Sequence, residues 1–105
     1  MIGVNFSMEE MILNIITHSG EARTCAMEAI QYAKKGDFDK AKESIEKSKE
    51  ELGCAHSYQT NLIQEEAAGN KAEISLLLIH AQDHLMTAMT LKDLAIELVE
   101  VYTRL

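Results

Sequence analysis

The chain has 105 residues, 47% of them hydrophobic and 26% charged, with five Gly, no Pro and no Trp. That length makes one small domain, the composition excludes a disordered chain, and the shortage of turn formers excludes a β-sandwich or barrel. A formal net charge of −7 argues against nucleic acid, where affinity comes from Lys and Arg on phosphates, and favours a basic protein partner.

The first predicted helix covers residues 8–35. Ser7 precedes an apolar-periodic run and Glu10 follows three residues on, the pattern of a capping box. Met8, Ile12, Ile15, Ile16, Ser19, Ala22, Ala26, Ala29, Ile30 and Ala33 recur in steps of three and four and predict the inner face. Lys34 and Lys35 suit the negative end of the helix dipole, and Gly36 supplies the left-handed residue that closes the helix. His18 falls near the inner edge and reads as a structural histidine.

The second predicted helix covers residues 38–68, capped by Asp37 and ended by Gly69 and Asn70. Its inner stripe is Ala41, Ile45, Ser48, Leu52, Ala55, Leu62 and Ile63, with Glu43, Glu46, Lys47, Lys49 and Glu50 on a solvated outer face. His56 reads as half-buried and structural. Cys25 and Cys54, without a Cys-x-x-Cys partner, read as small groups at helix contacts.

The third predicted helix covers residues 73–104. Its opening, Ser-Leu-Leu-Leu-Ile-His-Ala from Ser75, is apolar nearly all round, as in a helix buried on most sides. Leu91, Leu94, Leu98, Val101 and Leu105 form the predicted inner stripe, widened by Leu85, Met86, Met89, Ala95 and Val99. The expected fold is therefore all-α: an antiparallel three-helix bundle with short loops, residues 1–105 forming a single domain. The third helix has more apolar surface than two neighbours can cover, so it is expected to pack against copies of itself in a homo-oligomer. The start, Met-Ile-Gly-Val-Asn-Phe, lacks the basic segment of an export signal. No run reaches the roughly 18 apolar residues of a membrane span, and two cysteines make no disulfide framework. A cytoplasmic location is expected.

Residues 80–84 read His-Ala-Gln-Asp-His. His80, Asp83 and His84 share one helix face, and Thr87 continues it one turn on. Ionisable groups among apolar neighbours are costly unless paired or metal-bound, so three readings compete. The first is a satisfied polar layer in a helical core. The second is a metal site: the string resembles the H-x-x-E-H of inverted zinc proteases, but the chain is too short for a third ligand and a substrate cleft. No Glu-x-x-His occurs, which excludes a di-iron bundle. The third is a nucleophilic histidine, since a neutral imidazole accepts phosphoryl groups near neutral pH. Neither G-x-x-x-x-G-K-[ST] nor G-x-G-x-x-G is present, so a phosphoryl group must arrive on another protein.

The run HAQDHLMTAMTLKDL, His80 to Leu94, resembles the active-site helix of enzyme IIA proteins of the lactose/cellobiose type, from the bacterial sugar phosphotransferase system. SGEAR (Ser19–Arg23), KGDFDKA (Lys35–Ala41) and AHSYQT (Ala55–Thr60) match in the same order, so the resemblance spans about Glu9 to Tyr102. It implies a cytoplasmic homotrimer with His80 phosphorylated through Nε2. The donor is the phosphohistidine carrier protein and the acceptor a cysteine of enzyme IIB; the membrane sugar permease component is an indirect partner, and nucleic acid is none. It also implies that Asp83 of three subunits shares one divalent cation, magnesium by the usual assignment. His84, Thr87 and Gln82 are candidate supporting residues. The Ala81 wording leans towards cellobiose or diacetylchitobiose transport rather than lactose. The competing function class is a non-enzymatic helical metal-binding or adaptor protein, which would carry no acid-labile phosphate on His80.

Overall fold

A computed structural model describes residues 7–105 as three helices: α1 Met8–Lys34, α2 Phe38–Ala67 and α3 Leu76–Thr103. The opening residues used above to argue against an export signal lie outside the described residues. Both helix-ending glycines behave as their positions require. Gly36 (φ 81°) and Gly69 (φ 94°) take the left-handed conformation that other residues avoid. Around Gly36 the amide of Asp37 donates to the Tyr32 carbonyl at 2.9 Å and that of Gly36 to Ala33 at 3.0 Å. Around Gly69 the amides of Asn70 and Gly69 donate to Glu65 and Glu66 at 2.8 and 3.0 Å. Each is a Schellman closure, which satisfies carbonyls the helix end would otherwise orphan. At the other end Ser7 and Glu10 form the expected capping box, and Asp37 caps α2 through the Lys40 amide.

The three-residue turn after α1 sends α2 back along it. The first core cluster joins the start of α1 (Ile12, Ile15) to the end of α2 (Leu52, Leu62) and the start of α3 (Ala81, Leu85). The second joins the end of α1 (Ala29, Ile30) to the start of α2 (Ala41, Ile45) and the end of α3 (Ala95, Val99). The bundle is therefore up-down-up, with α1 and α3 running the same way. Its extents of 52 × 29 × 18 Å describe a slender rod. Small residues let α1 and α2 approach closely, and Ser48, fully buried, donates to the Ala22 carbonyl across that seam at 2.8 Å. Ile15 and Leu85 are the largest fully buried side chains. Each such side chain contributes about 1.5–3 kcal/mol, so a core this thin leaves little reserve in one chain.

Several expectations need correcting. Helix α3 starts at Leu76, not Glu73, because Ser75 is its N-cap and accepts from the Leu78 amide at 3.1 Å. Ile63, expected inside, is 58% exposed, although Leu62 beside it is buried in the core. His56 and Cys54 lie on the solvent side of α2, whereas Cys25 is buried as expected. Burial, then the Glu21 and Glu28 carboxylates, push the Cys25 thiol up and keep it protonated. The largest correction concerns α3. Its buried residues are Ala81, Leu85, Ala88, Ala95 and Val99; Leu94, Leu98, Val101 and Leu105 face away from the bundle. The helix carries two apolar faces, and its own two neighbours take the one made mostly of small residues.

Candidate functional site

His80, Asp83, His84 and Thr87 lie in the first twelve residues of α3, with His84 level with Gly20 near the middle of α1. His80, Asp83 and Thr87 are exposed and His84 is half-buried. The His80 and His84 rings stack, with centroids 5.5 Å apart and planes 12° from parallel. Helical spacing produces this directly, because residues four apart stand one above the other.

What seats His84 comes from α1. Gly20 lies inside that helix, where glycine costs about 1 kcal/mol relative to alanine. A Cβ built on Gly20 would stand 3.3 Å from His84 Nε2. The missing side chain makes room for the imidazole and lets α1 form the wall behind it. Gly20→Ala therefore has opposed effects. Helix propensity rises while the His84 ring must shift by a few tenths of an ångström. Thermal unfolding should show stability unchanged or raised, and the rate of phosphoryl acceptance should fall. A variant that keeps the wild-type rate would remove Gly20 from the site.

The other supporting candidates separate on geometry. The Thr87 hydroxyl donates to the Asp83 carbonyl of its own helix at 2.9 Å, so its proton is directed along the backbone and away from His80. Gln82 turns towards α2, where its side-chain oxygen accepts from Gln59 Nε2 at 3.0 Å. It ties α3 to α2 beside the site. Of the three, His84 alone stands against the His80 ring. His18 is held elsewhere, its Nδ1 3.0 Å from Glu51 Oε1 and its ring stacked on Tyr58. The Gly20 approach and the Gln59–Gln82 bond were missed in the sequence. Both depend on the register between helices, and the mid-helix glycine was the one available signal.

Asp83 occupies the outward face of α3. Leu76, His80, Asp83, Thr87, Thr90, Leu94, Leu98 and Val101 succeed one another in steps of four and three, and Leu105 continues the series beyond the helix. Such spacing is the seam of a coiled coil. Leu76, Leu94, Leu98 and Val101 on it are exposed in the single chain. Asp83 is the one carboxylate in the strip.

A helical bundle that presents an exposed imidazole backed by a second one, with no nucleotide-binding loop, is a histidine-bearing protein suited to exchange groups with other proteins. The family model for the lactose/cellobiose-specific IIA subunit of the phosphotransferase system matches residues 10–103. The lichenan-specific phosphotransferase enzyme IIA component of Bacillus subtilis (strain 168) is 52% identical over 97% of this chain and 93% of its own. The crystal structure of the cellobiose-specific enzyme IIA from Bacillus anthracis has a TM-score of 0.91 at 50% identity, covering 96% of this chain and 93% of that one. The solution structure of the IIA(Chitobiose)–HPr complex, from the N,N'-diacetylchitobiose branch of the Escherichia coli system, has a TM-score of 0.82 at 41% identity, covering 95% and 97%.

The chain belongs to the lactose/cellobiose family of phosphotransferase-system IIA components. It is thus a phosphotransferase component, with the three-helix fold of its solved relatives. Among the described residues no helix is long and apolar enough to cross a membrane.

Proposed function

We propose that this chain accepts a phosphoryl group on His80 from the phosphohistidine of an HPr-type carrier and passes it to a cysteine of enzyme IIB. It does so in the cytoplasm, in the uptake of a β-linked disaccharide through a membrane permease component. The observation that carries this reading is the exposed His80 ring stacked on His84, in a sequence that carries neither of the two glycine-rich phosphate-binding motifs.

The chemistry is two like displacements. The neutral Nε2 of His80 attacks phosphorus, a P–N bond forms, and the bond to the carrier's imidazole breaks with its electron pair returning to that ring. The IIB thiolate then forms a P–S bond, and the His80 P–N bond breaks in the same sense. Such transfers depend on positioning and on stabilising charge on the phosphoryl oxygens. The His84 imidazole, seated over Gly20, is the group beside His80 able to donate to them. In a relay assay with phosphoenolpyruvate, enzyme I and the carrier, label should appear on this chain first and then move to added enzyme IIB. Label that reaches IIB without this chain, or that never leaves it, contradicts the assignment.

The working form is proposed to be a homotrimer built on the outward seam of α3. The exposed apolar positions at coiled-coil spacing support this, and so does a slender single-chain rod of 29 × 18 Å cross-section. One carboxylate per chain cannot hold a hard cation alone, but three converging on an axis can, and they supply the oxygen ligands that magnesium takes. The donor set fits on that condition. Asp83 from each subunit would hold the ion, which supplies charge neutralisation in an otherwise apolar seam. Sedimentation equilibrium at micromolar concentration should give three chains per particle. A clean monomer would overturn the trimer and the shared-ion site together.

A further inference from the structure

Among the described residues, three ligand-type side chains converge away from His80, across the seam between α1 and α2. We propose that His18, Glu51 and Cys54 form a site for a borderline-soft divalent ion of the zinc type. His18 comes from α1, while Glu51 and Cys54 stand one turn apart on α2, so two rigid helices present the three groups to one point. One donor atom from each residue lies within 4.8 Å of the others. His18 Nδ1 and Glu51 Oε1 are already 3.0 Å apart, and both side chains are about three-quarters buried. Stacking on Tyr58, at 6.0 Å and 15°, sets the plane of the His18 ring. Cys54 is exposed, so an ion can enter past it.

The donor chemistry selects the ion. Imidazole, carboxylate and thiol together suit zinc, whereas magnesium takes oxygen alone. Ligand atoms at about 2.0–2.3 Å from a tetrahedral ion lie about 3.3–3.7 Å apart. The His18–Glu51 pair must open by a few tenths of an ångström, and the Cys54 sulfur, within 4.8 Å of the other two donor atoms, must approach them by up to about 1–1.5 Å. On binding, the thiol gives up its proton to solvent and becomes the thiolate ligand. His18 Nδ1 faces the Glu51 carboxylate and must also give up its hydrogen, to that acceptor or to solvent, so that a neutral ring carrying its single proton on Nε2 coordinates through Nδ1. The fourth position is open to water. The ion would cross-link α1 to α2. This site is independent of the phosphoryl-carrier reading, because it uses none of His80, Asp83 or His84.

Cobalt(II) titration of the metal-free, reduced protein tests the proposal, with zinc as competitor. One cobalt per chain should bind with tetrahedral visible bands and a thiolate charge-transfer band in the near ultraviolet, and zinc should displace it. Cys54→Ser, on the solvent side of α2, should abolish the thiolate band. It should weaken zinc binding by more than the roughly 10–100-fold that loss of a residue merely supporting a ligand costs. Glu51→Gln should weaken binding while keeping the band, and Cys25→Ala should change neither. A wild-type protein without the thiolate band overturns the proposal, as does a band that survives Cys54→Ser. Cobalt that binds only at one per three chains, and is lost in Asp83→Leu, also overturns it. That ion belongs to the oxygen-only site of the proposed trimer, which cannot produce a sulfur band.

Discussion

His80→Ala should accept no phosphoryl group, while His56→Ala should be modified as fast as the wild type. All four histidines share the same side-chain chemistry, so the difference lies in their surroundings. His18 is bonded to Glu51 and stacked on Tyr58. His56 stands on the solvent side of α2 with no second imidazole behind it. His84 is the half-buried member of its pair, its Nε2 against Gly20. Only His80 combines exposure with a neighbouring ring that can donate to incoming oxygens. His84→Ala should therefore still be phosphorylated, but more slowly. Removing one donor to developing charge typically lowers a rate by about 10²–10³. Initial rates of label incorporation for the four proteins check this. Equal rates for His84→Ala and wild type would leave His84 a packing group.

Asp83→Leu should lose all bound metal at the α3 seam and remain a trimer, with a melting temperature at or above that of metal-free wild type. A trimer brings three carboxylates together on a face whose other members are apolar or neutral. Without an ion they repel one another. Replacing buried charges by packed apolar side chains is often neutral or stabilising by about 1–4 kcal/mol. Leucine at this position also extends the row made by Leu76, Leu94 and Leu98. Asp83→Asn should lose the ion as well, without that apolar gain. Elemental analysis of the purified trimers and thermal unfolding with and without magnesium measure both halves. A metal-replete Asp83→Leu trimer would contradict the shared-ion site, and a monomeric one would show that the ion itself holds the assembly.

The local features of this fold are legible in the sequence because short-range chemistry determines them. The capping box at Ser7 and Glu10, the Asp37 cap and the two left-handed glycines each need only a few adjacent residues. The inner face of α1 is equally legible, since Glu and Lys occupy the opposite side. Helix α3 is different. Its periodicity identifies apolar faces without saying which face meets the rest of its own chain, and Leu94, Leu98 and Val101 were placed on the wrong one. The excess that made that assignment ambiguous is the same surface now proposed to meet other copies. Ser75 was read as part of the apolar run, although its hydroxyl caps the helix. The site shows the same division. His80, Asp83 and His84 fall on one side of α3 by spacing alone, whereas the seating of His84 over Gly20 depends on how α1 and α3 slide past one another. No pattern within either helix encodes that register.

Intact-mass spectrometry tests most directly whether His80 carries the phosphoryl group. Wild type and His80→Ala are each incubated with phosphoenolpyruvate, enzyme I and the carrier protein. Wild type should gain the mass of one phosphoryl group per chain, stable in base and lost in acid as a P–N bond requires, and His80→Ala should gain nothing. Full labelling of His80→Ala, or an acid-stable adduct on the wild type, would contradict the account.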